Sequence, residues 1–396
     1  MPVRILRGDC LDVLRSLPAD SVHCCVTSPP YYGLRDYGVA GQIGLEATPD
    51  AYIAQMVEVF RLVRRVLRDD GTVWLNLGDS YASGTGYKTS SPQQSRNGRG
   101  VCGPRNLHAS AARANARGFM DYGEAKPKDL LMMPARVALA LQADGWWLRS
   151  DIIWHKPNPM PESVTDRPTS AHEHVFLLAK QPRYFFDADG IREKVGEETR
   201  RTTEFRGETS PYKDHQSYTN TSATKTHAPR GDPSLAGRNA RSVWTIATAP
   251  YSDAHFATFP PELAERCIKA GTSERGCCAA CGAPWVRQVE RKHYGDKSGG
   301  DRSLEKGFTR NAMGGQQEWD AYVAPVTTGW SPSCTCAAAC VPAVVLDPFG
   351  GSGTVGLVAD RLQRDAVLIE LNPDYAAMAE RRLHRDAGLF AEVATA

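Results

Sequence analysis

Hydrophobic positions in the first eighty residues alternate between two periods. Residues 3–6, 22–26 and 72–77 read as short apolar strands, 11–17 as a short helical segment and 51–67 as a long amphipathic helix. This alternation predicts a mainly parallel sheet with helices on its faces. Asp69-Asp70-Gly71 follows the long helix, where a glycine suits a C-terminal cap. From 80 to 127 the pattern dissolves into Gly, Ser, Asn, Gln and Arg, which reads as a mobile surface loop. Regular periods return as a helix at 130–141 and strands at 147–154 and 173–179. Residues 191–241 are poor in aliphatics and too long for an ordinary connection, so an inserted lobe or arm is expected there. A helix at 261–270, a cysteine-containing stretch at 276–340, and a strand, glycine loop, helix, strand, helix series over 344–377 follow, with no internal repeat.

Composition narrows the class only a little. A chain of 396 residues, 41% hydrophobic, can bury a full α/β core and still carry a second lobe. With 47 basic against 45 acidic residues the net charge is +2, so a nucleic-acid-binding face must come from local clustering. Residues 191–241 offer such a cluster, with Arg200, Arg206, Lys213 and Arg230 interleaved with Tyr212 and Tyr218. That mixture suits phosphate contacts and base stacking, and equally a solvated arm. No stretch reaches membrane-spanning length and the N-terminus runs into a strand without a signal peptide, so a cytoplasmic protein without a membrane partner is expected. The 11 cysteines, an odd number in a reducing compartment, argue against a disulfide framework.

Candidate chemistry gathers at strand ends. Asp347-Pro348-Phe349-Gly350-Gly351-Ser352-Gly353-Thr354 leads from an apolar strand into a helix. Its glycines let the backbone approach a ligand, and the helix N-terminus presents free N–H groups. Gly351, Gly353 and Gly356 match the dinucleotide fingerprint, and Glu370 ends the next strand, where a ribose diol would be held. The plainer reading is a tight turn between strand and helix. One strand after the loop cannot complete a doubly wound sheet, which argues against a nicotinamide oxidoreductase and requires the remaining strands to come from the N-terminal segments. Asp9, after the first strand, then lies beside the same pocket, where it could read an adenine amino group.

Thr27-Ser28-Pro29-Pro30-Tyr31 follows the strand at 22–26. Two prolines fix φ and remove donors, leaving preorganised carbonyl acceptors. An exocyclic amino group on a base is a poor nucleophile because its lone pair is delocalised. A site that accepts its hydrogens, through the Ser28 hydroxyl and a proline carbonyl, would aim that lone pair at an electrophile. Tyr31 offers a face on which a flipped-out base could stack. The plainer reading is a proline loop with a surface tyrosine.

Cys278, Cys281, Cys334 and Cys336 form two close pairs, and four thiolates suit a closed tetrahedral zinc site. Cys277 and Cys340 are possible substitutes, and the alternative is inert reduced thiols. Lys156 could contact a phosphate or be solvated, and His172 and His174 flank Glu173 with either metal-binding or edge-strand character.

Together with Gly8-Asp9, residues 71–79, Trp154-His155-Lys156-Pro157-Asn158, residues 173–180 and Thr258-Phe259-Pro260, these motifs resemble the β-class S-adenosylmethionine-dependent DNA amino-methyltransferases, in which the catalytic motif precedes the recognition region and the cofactor motif comes last. The resemblance implies a Rossmann-like seven-stranded sheet flanked by helices, with an inserted recognition region and a small zinc-ribbon-like insertion. Residues 1–190 would form the catalytic half, 191–241 the target-recognition region and 242–396 the cofactor half, with the insertion at 276–340. It implies Ser28, Pro29, Pro30 and Tyr31 as catalytic residues. Asp347, Phe349, Gly351, Gly353 and Thr354 would hold the methionine end of S-adenosyl-L-methionine, Glu370 its ribose and Asp9 its adenine, with Phe259 a pocket wall. The Ser-Pro-Pro-Tyr form is similar to the cytosine-N4 group, and adenine N6 is the main alternative. Double-stranded DNA is the implied partner, with a companion restriction endonuclease that need not form a complex. An RNA or protein methyltransferase and a zinc-bearing DNA-binding regulator are the remaining rivals.

Overall fold

A computed structural model describes residues 2–82, 122–193, 238–249, 259–290, 326–387 and 392–395. Most of the loop expected at 80–127 and most of the basic region at 191–241 lie outside these residues. The chain divides into two compact units, the first of Met1–Asp187, Arg241–Trp285 and Pro332–Ala396, the second of Ala188–Ala240 and Val286–Ser331.

The first unit is built on one nine-stranded sheet. Its strands are β1 (Pro2–Arg7), β2 (Val22–Thr27), β3 (Leu67–Leu77), β4 (Trp147–His155), β5 (His172–Ala179) and β6 (Val243–Thr245), followed by β11 (Val344–Asp347), β12 (Asp365–Glu370) and β13 (Glu392–Thr395). The spatial order is β13-β1-β12-β11-β2-β3-β5-β4-β6. The seven strands expected are the middle of this sheet, and a short strand is added at each edge. Two strands therefore follow the glycine loop, not one, because β13 returns to pair in parallel with β1. As expected, β1 completes the sheet from the N-terminal side, pairing with β12 so that Arg7 faces Glu370. Strands β1, β12, β11, β2 and β3 are parallel, so their carboxyl ends share one edge. β5 runs antiparallel to β3 and β4, which brings its first residues to that same edge.

Helices α1 (Cys10–Ser16), α2 (Pro49–Val66) and α3 (Met133–Ala143) pack along one face, and α4 (Pro261–Gly271), α5 (Thr354–Arg361) and α6 (Pro373–Ala387) along the other. The sequence of α2 explains its place: Thr48 caps Ala51 N–H at 3.1 Å, Pro49 begins the first turn, and Tyr52, Met56, Val59, Phe60 and Val63 form a buried stripe at helical spacing. Its C-terminus corrects the expected glycine cap. The helix ends at Val66, Leu67 is already extended, and Gly71 lies inside β3. A Cβ on Gly71 would stand 2.7 Å from the Leu67 side chain and 2.9 Å from the His23 carbonyl, so space requires the glycine there.

Within the same unit, β7 (Cys277–Cys278) pairs antiparallel with β10 (Cys340–Val341). In the second unit, residues 286–290 of β8 (Trp285–Glu290) pair with β9 (Val326–Pro332) through residues 326–331, and Glu193 bridges to Arg238. Among the described residues no helix is long and apolar enough to cross a membrane.

Candidate active site

Ligands of open α/β sheets bind at the carboxyl ends of the parallel strands. At that edge the structure gathers Asp9 after β1, Thr27 to Tyr31 after β2, Asp347 at the end of β11 and Glu370 at the end of β12. The central joint is a buried hydrogen bond from the Thr27 hydroxyl to Asp347 Oδ1, 2.7 Å long, between residues 320 positions apart. It fixes the start of the Ser-Pro-Pro-Tyr segment against the start of the glycine loop.

On the glycine-loop side, Asp347 is 1% exposed and its Oδ1 also accepts from Phe349 N–H at 3.0 Å. Burial raises its carboxyl from the ordinary range to about 7, against the lowering effect of the Thr27 bond. Glu370 accepts from Gly351 N–H at 2.7 Å and from Asn372 N–H at 2.8 Å, and burial raises its pKa too. Gly351 and Gly353 have φ of 51° and 76°, the left-handed region that favours glycine. A Cβ on Gly353 would press on Ala379 of α6 at 2.9 Å, and one on Gly356 on Leu368 and Val3, whereas one on Gly351 would meet only the Phe349 carbonyl, at 3.8 Å. The loop is thus packed against the protein on one side and open at Gly351. A buried and a half-buried carboxylate in no ion pair among the described residues suit a cationic ligand with a diol, such as S-adenosyl-L-methionine. Asp9 caps α1 through Leu11 N–H at 2.8 Å. Phe259 is half-buried and directly precedes Pro260, the N-cap of α4.

Thr354 is buried, and its hydroxyl accepts from Arg382 Nη1 at 2.9 Å. The same nitrogen donates to the Ser352 carbonyl and hydroxyl. Arg382 therefore braces the glycine loop from α6, a role hidden in the sequence on a charged amphipathic helix.

On the Ser-Pro-Pro-Tyr side, the Pro30 carbonyl already accepts from the Tyr52 hydroxyl at 2.9 Å. Pro29 is buried, and among the described residues no hydrogen bond reaches its carbonyl, which leaves it as the proline acceptor. The Ser28 hydroxyl lies 3.2 Å from the Tyr31 hydroxyl. Tyr31 donates to Glu173 Oε2 at 2.6 Å and lies 3.2 Å from Asn76 Oδ1. Asn76, 3% exposed, donates to Glu173 Oε2 at 3.0 Å, and Lys156 pairs with Glu173 Oε1. Burial and the adjacent Glu173 charge hold the Tyr31 phenol well above its ordinary pKa, so it keeps its proton. Glu173, Asn76 and Tyr52 were not expected at the site. Lys156, open to a phosphate or to solvent in the sequence, is half-buried over Trp154, 4.5 Å from the ring centroid. His174 bonds Asp151 at 2.9 Å and stacks on Phe176.

The Sγ atoms of Cys278, Cys281, Cys334 and Cys336 lie within 4.8 Å of one another. Among the described residues these four are the one group arranged to hold a metal ion. Zinc–thiolate bonds of about 2.3 Å in a tetrahedron separate sulfurs by roughly 3.8 Å, so the cluster can hold zinc. Cys277 and Cys340 stand outside it, with their thiols on backbone carbonyls. His23 ties the cluster's loop to the sheet: Nε2 lies 3.0 Å from the Gly282 carbonyl, and Nδ1 accepts from Val344 N–H at 3.0 Å. Arg68 donates to the Cys281 carbonyl at 2.7 Å.

Parallel strands whose carboxyl ends carry a glycine loop beside a Ser-Pro-Pro-Tyr segment are what an enzyme joining a nucleotide-type donor to an amino acceptor needs. A DNA methylase family model matches residues 22–279 and 338–381. The Type II methyltransferase M.XycI of Xanthomonas campestris pv. cyanopsidis is 37% identical over 380 residues, covering 96% of this chain and 87% of that one. The Type II methyltransferase M.SmaI of Serratia marcescens is 35% identical over 382 residues, covering 96% and 91%. The solved PvuII DNA methyltransferase (cytosine-N4-specific) aligns over 96% of this chain and 87% of its own, at 16% identity and a TM-score of 0.49. The chain belongs to the DNA methylase family, as a β-class DNA amino-methyltransferase.

Proposed function

We propose that the chain transfers a methyl group from S-adenosyl-L-methionine to the exocyclic N4 of cytosine at one sequence in double-stranded DNA. The observation that carries this reading is the Thr27–Asp347 bond, which sets the amino-accepting segment against the candidate cofactor loop. S-adenosyl-L-methionine supplies the electrophilic methyl. Asp347, Phe349, Gly351, Gly353, Thr354 and Glu370 form its cradle, with Asp9 and Phe259 toward the adenine. Ser28 and the Pro29 carbonyl accept the two amino hydrogens of a flipped-out cytosine and turn its lone pair toward the donor. Pro30 and Tyr31 keep these acceptors in place, Pro30 through Tyr52 and Tyr31 through Glu173. Low local dielectric strengthens each of these bonds in the transition state. No covalent enzyme intermediate is needed.

Residues 191–241 serve as the target-recognition region, and the protein works in the cytoplasm beside an endonuclease of the same specificity. Cys278, Cys281, Cys334 and Cys336 hold one structural zinc ion. Sequencing DNA from cells that express the chain, with a method that separates N4-methylcytosine from N6-methyladenine, tests the reading. N4-methylcytosine at a single motif is expected, and its loss in Ser28→Ala. N6-methyladenine at that motif would replace cytosine as the base, and unmodified DNA would sink the reading.

A further inference from the structure

Glu173 opens the 173–180 segment of the family resemblance, which assigns it no role, yet three donors converge on it. It stands opposite Trp154 near the start of β5, and the antiparallel course of that strand carries it to the edge where Ser28 lies. Its side chain is 15% exposed and that of Lys156 is 18% exposed. Lys156 occupies Oε1, while Tyr31 and Asn76 share Oε2.

Counting protons fixes the direction of the bonds to Glu173 and of the Ser28–Tyr31 contact, with the longer 3.2 Å approach of Tyr31 to Asn76 Oδ1 left without the proton. A carboxylate paired with lysine only accepts, and the Asn76 amide and Lys156 ammonium only donate to it. The single phenol proton of Tyr31 goes to Glu173, its shortest partner at 2.6 Å. The Ser28–Tyr31 contact of 3.2 Å then has one consistent direction, with Ser28 donating to the phenol oxygen. Once its proton is committed, Ser28 presents only lone pairs to anything else that enters. An amino N–H finds an acceptor there, and a ring carbonyl finds none of the donors it needs. The Tyr31 ring packs closely on Gly78, where a Cβ would come within 2.6 Å of it, so the glycine leaves room for the ring at this place.

We infer that Glu173, held by Lys156, is a positioning residue that makes Ser28 an obligatory hydrogen-bond acceptor, through Tyr31, and so fits the pocket to an amino group. This rests on the methyl-transfer reading above. It assigns Glu173 to the polarity of the site and leaves contact with the base to Ser28.

The test is methylation kinetics on duplex DNA bearing the modified motif, with Glu173→Ala, Tyr31→Phe, their double variant and Glu173→Gln. Each of the first two is expected to lower kcat about 10- to 100-fold, with KM for S-adenosyl-L-methionine within about twofold. The double variant should fall no further than the weaker single, because Glu173 acts through Tyr31. Glu173→Gln keeps a carbonyl able to accept from Tyr31 and should recover part of the rate lost in alanine. Independent, multiplied losses in the double variant would overturn the proposal. So would an unchanged kcat in Glu173→Ala. If the alanine variant fails to fold, the glutamine and phenylalanine variants decide: wild-type kcat in Tyr31→Phe rejects the relay. Transfer by Ser28→Ala at the wild-type rate instead rejects the amino-acceptor reading of the pocket, a separate result.

Discussion

Asp347 combines two demands that conflict in the unliganded protein. Its buried carboxyl must be ionised to attract a cationic donor, yet burial raises it to about 7, where half the molecules hold a proton. A cationic cofactor favours the ionised form, so binding near neutral pH should release protons. As pH falls below about 7, cofactor affinity should weaken by up to about tenfold per unit. Calorimetry of S-adenosyl-L-methionine binding between about pH 5.5 and 8.5 checks this, and Asp347→Asn should flatten the profile while weakening affinity. A wild-type affinity independent of pH would reject the role. The sign for stability is opposite. The folded pKa lies above the unfolded value near 3.8, so this group's favourable contribution is complete below that value and is lost as pH rises to about 7. Asp347 should therefore lower the melting temperature of the unliganded protein as pH rises through that window, and Asp347→Asn should remove that part of the slope.

Elements place such residues, and they differ in how far their sequences disclose it. Short apolar strands leading to chemistry-bearing residues were readable directly: Asp9 and Ser28 follow β1 and β2, and Asp347 and Glu370 end β11 and β12, because a parallel sheet sends those ends to one edge. Glu173 and Asn76 were not readable, because their meeting depends on β5 running antiparallel with His174 opposite Leu77, a register that periodicity does not encode. Tyr52 looked like one more apolar position of α2, and Gly71 looked like a cap, because spacing cannot tell a helix end from a crowded strand. The four cysteines show both sides of this. Their pairing was visible, but their attachment through His23 to β2 and β11 was not. That attachment is at the amino ends of those strands, opposite Thr27 and Asp347. Loss of zinc should therefore affect stability more than chemistry. Purified protein should contain about one zinc per chain, and Cys281→Ser should lose it and melt several degrees lower, while the folded fraction keeps kcat within about threefold. Metal analysis with thermal melting and active-site titration decides. Wild-type protein purified without chelator yet lacking metal would remove zinc from the account.

At the scale of the whole molecule, the sheet joins segments remote in sequence, and its strands carry unequal responsibility. β1 lies between β12 and β13, and its end places Gly8 N–H on the Glu370 carbonyl at 3.0 Å. It is thus part of the wall that holds the candidate cofactor loop. Among the described residues β13 pairs only with β1, on the far side from β12, and contributes no residue to the site edge described above. An edge strand of four residues stabilises its neighbour by ladder hydrogen bonds and by covering backbone groups, each bond worth about 1 kcal/mol. Truncation after Ala387 should accordingly lower the melting temperature by a few degrees and leave S-adenosyl-L-methionine affinity within about threefold. Removing β1 should abolish cofactor binding, since β12 would lose one of its two partners and become an edge strand, and Glu370 would lose its backbone anchor. Melting curves and cofactor titrations on the two truncations separate these outcomes. If loss of β13 abolished cofactor binding in protein that still folds, the cofactor site would have to extend across β1 to the edge of the sheet.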